Sequence, residues 1–294
     1  MAFAVLSLAF AGVLLLPYLP ALAEWLRRTD AGAMPIAESY RETEVDLPSP
    51  VGTDVVAADG ARVATIASLR TSAGAAVEAV AAGDDLLLGP GSVVAEHAHA
   101  GAHLRVGPGC ELLGSASSDG AAAVSSGTRF ERLHAPALLL GARHAPRPRP
   151  LTRSRFSPAE RRDASGRYVV EGDLDIPAGA TVGGTLVVSG TVRLGEGAHV
   201  DGDVRVGRDL VLGPDASVSG HAFAERAIAL GLCAAVDGTA VARRRLTLGP
   251  HARVGCHDRP ATATADVIDA APGALVHGTL WARVRGAVVS IRNA

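Results

Sequence analysis

The chain has 294 residues and a formal charge of −2, and its 28 basic residues are all Arg, which excludes the bulk basic character of a general polyanion binder. Aromatic residues make up 3%, few for an ordinary globular core of this length. The three cysteines, Cys110, Cys233 and Cys256, contain no Cys-x-x-Cys pair and give no disulfide framework.

The first element is apolar. From Ala2 to Ala23 there is no charged side chain. Phe3, Leu6, Phe10, Leu14 and Leu16 supply its body, Tyr18 and Trp25 suit an interface, and Arg27 and Arg28 follow. About 20 apolar residues can cross a bilayer. An Arg pair after the span, with none before it, directs the rest of the chain to the cytoplasm. Residues 1–28 are therefore expected to be a transmembrane helix serving as an anchor. Ala21-Leu22-Ala23 keeps a cleaved secretion signal as the alternative, and Pro17 and Pro20 interrupt or kink a continuous helix. Residues 29–83 are weakly patterned. Asp46-Leu47-Pro48-Ser49-Pro50 is a linker, and Val55–Val80 fits short strands or a helix.

An eighteen-residue repeat first surfaces at Leu88-Gly89-Pro90-Gly91 and Val106-Gly107-Pro108-Gly109, with Val94 and Ala100 between them. This predicts a short first solenoid module over 84–142, losing regularity after Leu113, with Cys110 at an inward position as a small apolar residue. Residues 143–167 are rich in Arg and Pro and form a solvated loop.

The main block, 168–294, carries the strongest signal. Stepping by six gives Ile176, Val182, Val188, Leu194, Val200, Val206, Leu212, Val218, Ala224, Leu230, Val236, Ala242, Leu248 and Val254, all apolar. The residue four places after each is apolar or small. Every third hexad carries a stronger motif, as in Leu212-Gly213-Pro214-Asp215-Ala216 and Leu248-Gly249-Pro250-His251-Ala252. Nested periods of six and eighteen specify an all-β parallel β-helix, a β-solenoid with three short faces per coil. Alternate side chains enter a narrow core. Gly195, Gly202, Gly207, Gly213, Gly220 and Gly249 are expected at bends that use left-handed backbone. The hexad alone leaves handedness open.

Chemistry-bearing residues are sparse. His199, His221, His251, His257 and His277 are the candidates if the hexads belong to a left-handed hexapeptide-repeat acyltransferase, but none lies next to a long excursion of the chain. His97, His99 and His103 have spacing compatible with a metal, although solvated wall residues are far commoner on a solenoid. The reading assigns no catalytic residue, metal or cofactor, and no nucleic-acid partner.

Gly184-Thr185-Leu186-Val187-Val188-Ser189-Gly190-Thr191-Val192 resembles the repeats of bactofilins, the polymer-forming bacterial cytoskeletal proteins. So do Val200-Asp201-Gly202-Asp203-Val204-Arg205-Val206-Gly207 and Val276-His277-Gly278-Thr279-Leu280-Trp281-Ala282. The resemblance implies a right-handed helix that self-assembles end to end without nucleotide, often on the inner membrane, and scaffolds envelope or polysaccharide machinery. The expected partners are therefore the chain itself, the bacterial inner membrane on its cytoplasmic side, and an envelope or polysaccharide-related protein. The front module and the Arg/Pro insertion depart from the simplest members, and the front module could cap one end of the stack. Val289 and Ile291, near the C-terminus, are the candidate end-to-end contact. A secreted, polysaccharide-binding solenoid is the alternative if the N-terminus is cleaved.

Overall fold

The computed structural model describes residues 54–55, 61–141, 154–156, 158 and 167–289. The span 1–28, with Phe3, Leu6, Phe10, Leu14, Leu16, Tyr18, Trp25, Arg27 and Arg28, lies outside them, so the expected transmembrane helix has no described counterpart. Among the described residues no helix is long and apolar enough to cross a membrane. Every described element is a strand, and together they wind a parallel β-solenoid of about 11 turns.

In the main block each strand pairs with the strand eighteen residues on. Tyr168–Val170 lies on Leu186–Val188, that on Val204–Val206, then Ala222–Ala224 and Ala240–Ala242. The other two faces repeat the pattern, as in Leu174–Ile176 on Val192–Leu194 and His199–Asp201 on Ser217–Val218. Strands such as Leu186–Val188 and Val204–Val206 bury their outer two residues and turn the middle one outward, as period-two alternation requires. All twelve large aliphatics of the hexad series are sealed: Ile176, Val182, Val188, Leu194, Val200, Val206, Leu212, Val218, Leu230, Val236, Leu248 and Val254 are each at most 2% exposed.

Of the six corner glycines expected to use positive φ, only Gly202 does (φ 156°), and the others serve a different end. Gly195, Gly213 and Gly249 do not have left-handed backbone. They lie against the preceding coil instead: a Cβ at Gly195 would lie 2.6 Å from Ala178 N, and one at Gly249 would lie 2.5 Å from Leu230 O. The left-handed position is two residues later, at Gly197 (φ 64°), Asp215 (φ 56°), Cys233 (φ 57°) and His251 (φ 57°). Coil-to-coil spacing, not backbone curvature, therefore demands the glycine of each Leu-Gly pair.

The spacing widens to 22 between Leu248 and Ala270 because Gly255–Pro260 loops out, closed by a Cys256–Arg259 bridge. The front block begins earlier and ends later than the sequence pattern suggests. Ala61–Thr65 already pairs with Ala76–Ala82, so short strands occupy part of the weakly patterned region. Past Leu113 the ladder continues: Glu111 pairs with Arg129 and Leu112 with Phe130. Small core residues such as Ala116 and Ala122 mask the periodicity there. Cys110 is fully buried, and its thiol donates to Gly89 O at 3.2 Å.

Candidate assembly surfaces

In a solenoid the chemistry of assembly sits at the coil ends, where backbone N–H and C=O groups lack a neighbour, and on the outward faces. One end is consumed inside the chain. The last front strand, Arg129–Leu140, and the last strand of the main block, Ala274–Val288, are fused strands of 12 and 15 residues that skip a corner. They pair antiparallel, from Arg129↔Ala287 and Phe130↔Gly286 through Leu133↔Leu280 to Leu140↔Ala274. The two blocks thus meet C-terminal coil to C-terminal coil, and the buried core runs through the join from Val63 to Val288.

The junction is built side chain by side chain. The ring of Phe130, 3% exposed, occupies the space a Cβ on Gly286 would need. Arg132 lies 4.5 Å above the Trp281 ring, a cation–π contact. His134 Nδ1 and Thr279 Oγ1 are 2.9 Å apart, and His277 Nδ1 reaches Pro136 O at 3.0 Å. Gly127 N–H donates to Val288 O, and Gly273 N–H donates to Leu140 O.

This bears on the C-terminal candidates. Val289 N–H donates to Ala270 O and its side chain is 39% exposed, but the neighbouring strand edge is covered by Arg129–Leu140. Ile291 lies outside the described residues. The front block covers the C-terminal end of the main stack.

The opposite end of the main block differs. Tyr168 N–H donates to Thr185 O, and Val170 O accepts from Ser189 N–H, so the intervening Val169 turns its N–H and C=O away from the next coil. Asp175 does the same between Leu174, which donates to Thr191 O, and Ile176, which accepts from Gly195 N–H. The third face is covered: Ser154–Arg155 pairs with Ala180–Thr181, and Phe156 packs against the core. Two of the three strand edges are thus without a strand partner among the described residues.

Outward rows line the walls. One row runs Val187, Arg205, Phe223, Val241 by register, and Phe223 is 39% exposed. It forms the floor of a shallow groove of about 580 Å³, with Arg167, Arg243 and Arg283 along its length. Its signal was the position one after each inward residue, taken at steps of eighteen.

The histidines do not converge. His199 Nδ1 pairs with Ser217 Oγ at 2.8 Å, and His221 Nδ1 accepts from Thr239 N–H at 3.0 Å. His257 and His277 meet edge to face, with ring centroids 6.4 Å apart, and His251 occupies a left-handed corner. In the front block His99 Nδ1 pairs with Ser117 and His103 Nδ1 with Asp85. Among the described residues no group of three or more His, Cys, Asp or Glu is placed to hold a metal. Perturbed titration is structural: the Arg62 guanidinium hydrogen-bonds Glu78 at 2.9 Å and holds its carboxyl below the usual range. Burial pushes the thiols of Cys110 and Cys233 up, the latter with help from the Asp215 charge.

Neither the curated proteins nor the solved structures compared with this chain contain a match. Residues 166–280 match the family model of the bactofilins, described as polymer-forming cytoskeletal. That span begins just before the Tyr168 edge strand and ends within the junction strand, so the match and the regular coils of the main block coincide. Together with the all-β solenoid, this match makes residues 166–280 similar to a bactofilin domain, which supports a polymer-forming cytoskeletal scaffold.

Proposed function

We propose that the chain is a membrane-associated, self-assembling scaffold whose solenoid faces the cytoplasm at the bacterial inner membrane and recruits envelope or polysaccharide machinery. The match to a polymer-forming cytoskeletal family over 166–280 carries the reading. Two features of the chain support the finer parts. The uncharged run Ala2–Ala23 followed by Arg27 and Arg28 has the length and charge bias of an anchor. The groove floored by Val187, Phe223 and Val241 and edged by Arg167, Arg205, Arg243 and Arg283, with Asp203 and Glu225 among them, offers apolar area and charged side chains of both signs to a partner protein. No step of catalysis and no cofactor belongs to this reading, and self-association requires neither nucleotide nor metal.

The test has two arms on the full-length chain. Carbonate-washed membranes should retain the protein with its N-terminus intact, and negative-stain microscopy without nucleotide should reveal ordered polymers. Recovery of a shortened chain outside the membrane would replace the anchor with a secreted protein. Discrete particles at every concentration and salt would remove self-assembly.

A further inference from the structure

We infer that the seam between the two blocks forms a binding site for a polyol carrying an oxyanion, a sugar acid or a sugar phosphate, held by the Arg132 guanidinium and a set of hydroxyls around it. The inference goes beyond the scaffold reading and does not depend on self-assembly.

The site follows from the register of the seam. Leu133 and Ala135 are buried in the core, so Arg132 and His134 turn outward on one face. Across the antiparallel pairing Arg132 lies opposite Trp281, and His134 lies opposite Thr279. On the other side Arg132 lies beside Ser115 and His134 beside Ser117. Thr262 is next to Thr279 in the main block. Neighbouring strands about 4.8 Å apart therefore set two outward rows side by side. Ser115, Arg132 and Trp281 form one, and Ser117, His134, Thr279 and Thr262 form the other. Together they line a surface pocket of about 570 Å³, a size within the range of roughly 300–1,000 Å³ for small-molecule sites. Neither block holds this pocket alone, because each supplies part of both rows.

The lining chemistry selects the ligand. Arg132 brings a fixed positive charge, and no Asp or Glu lines the pocket to neutralise it. Trp281 holds the guanidinium 4.5 Å from its ring centroid. Among the described residues that guanidinium makes no hydrogen bond and no ion pair. A planar fork steadied on an aromatic face, with its donors unspent, matches the paired oxygens of a carboxylate or phosphate. His134 spends Nδ1 on Thr279 Oγ1 and keeps Nε2 for a ligand. The hydroxyls of Ser115 and Thr262 have no partner among the described residues. Each offers one donor and two acceptors, the complement of a sugar hydroxyl. A bare anion would leave these hydroxyls unmatched, and a neutral sugar would leave Arg132 unmatched. A polyol with one acidic group uses both.

The experiment titrates the full-length protein with glucuronate, glucose 6-phosphate, glucose and inorganic phosphate. Calorimetry gives the affinity, and Trp281 emission in a Trp25→Phe background reports the place. Glucuronate and glucose 6-phosphate should bind with Kd of about 0.1–1 mM, each about tenfold or more tighter than glucose or inorganic phosphate. Arg132→Lys keeps the charge but loses the fork, and should weaken both charged sugars about tenfold. Ser115→Ala and Thr262→Val should weaken them about threefold or more while leaving inorganic phosphate unchanged. These two outward positions decide the matter if Arg132→Lys loosens the seam, which its Tm would show. Absence of binding up to about 10 mM overturns the inference. So does binding of glucuronate and glucose 6-phosphate that Ser115→Ala and Thr262→Val leave intact. Glucose binding as tightly as glucuronate removes the oxyanion, and inorganic phosphate binding as tightly as glucose 6-phosphate removes the polyol; either result overturns it too.

Discussion

The Phe130–Gly286 pair gives the sharpest test of how the two blocks are joined. A Cβ on Gly286 would lie 2.5 Å from Phe130 Cδ2 and Cζ, against about 3.5–4.0 Å for a comfortable carbon contact. The ring would have to retreat by about 1 Å. It is 3% exposed and lies in register between Leu112 on one side and Gly286 on the other, in an interior with no slack. Gly286→Ala should therefore cost about 1–3 kcal/mol by overpacking. For a described body of this size that is a fall in Tm of roughly 4–8 °C at the middle of the range. Phe130→Leu should cost about 1–2 kcal/mol alone, less than the full truncation of a buried Phe. The double variant should recover about 1–2 kcal/mol of the summed loss, because the smaller side chain frees the room that the new methyl takes. Thermal and urea unfolding of the full chain, followed by Trp281 emission beside Arg132, reads out all four corners of the cycle. Additivity within about 0.5 kcal/mol would mean the two residues do not share the junction as described, and the antiparallel seam would lose its specific lock.

Two further outcomes follow from the corners and the cysteines. Cys233→Gly relieves a non-glycine residue from left-handed backbone (φ 57°) and should stabilise by about 0.5–1 kcal/mol, whereas Gly109→Ala (φ 70°), with open space around the new Cβ, should destabilise by about 1 kcal/mol through backbone strain alone. Paired melting curves check both. In the native chain at pH 8, iodoacetamide should modify Cys256 well before Cys110, whose thiol is fully buried and held protonated by desolvation; mass spectrometry of the timed products gives the order.

Much of the fold was written in the order of residues. A period-six run of apolar positions can be satisfied only by short strands that bend regularly, so Ile176 through Val254 specify their own burial and the three-faced coil without reference to any distant contact. The front block was less legible because Ala116, Ala122 and Ser118 fill inward slots, and small residues carry little hydrophobic contrast. The reason for glycine at Gly213 was also hidden: sequence marks a glycine, but whether it serves a left-handed φ or the approach of Leu194 O to 2.8 Å of an added Cβ depends on the coil above. Two results belong to the tertiary structure alone. The antiparallel seam joins Arg129–Leu140 to Ala274–Val288, strands well over a hundred residues apart, and no local periodicity encodes a pairing between fused strands that have each lost a corner. That seam in turn covers the C-terminal coil of each block. Local pattern sets how each coil is built, while long-range hydrogen bonding sets which coil ends remain open.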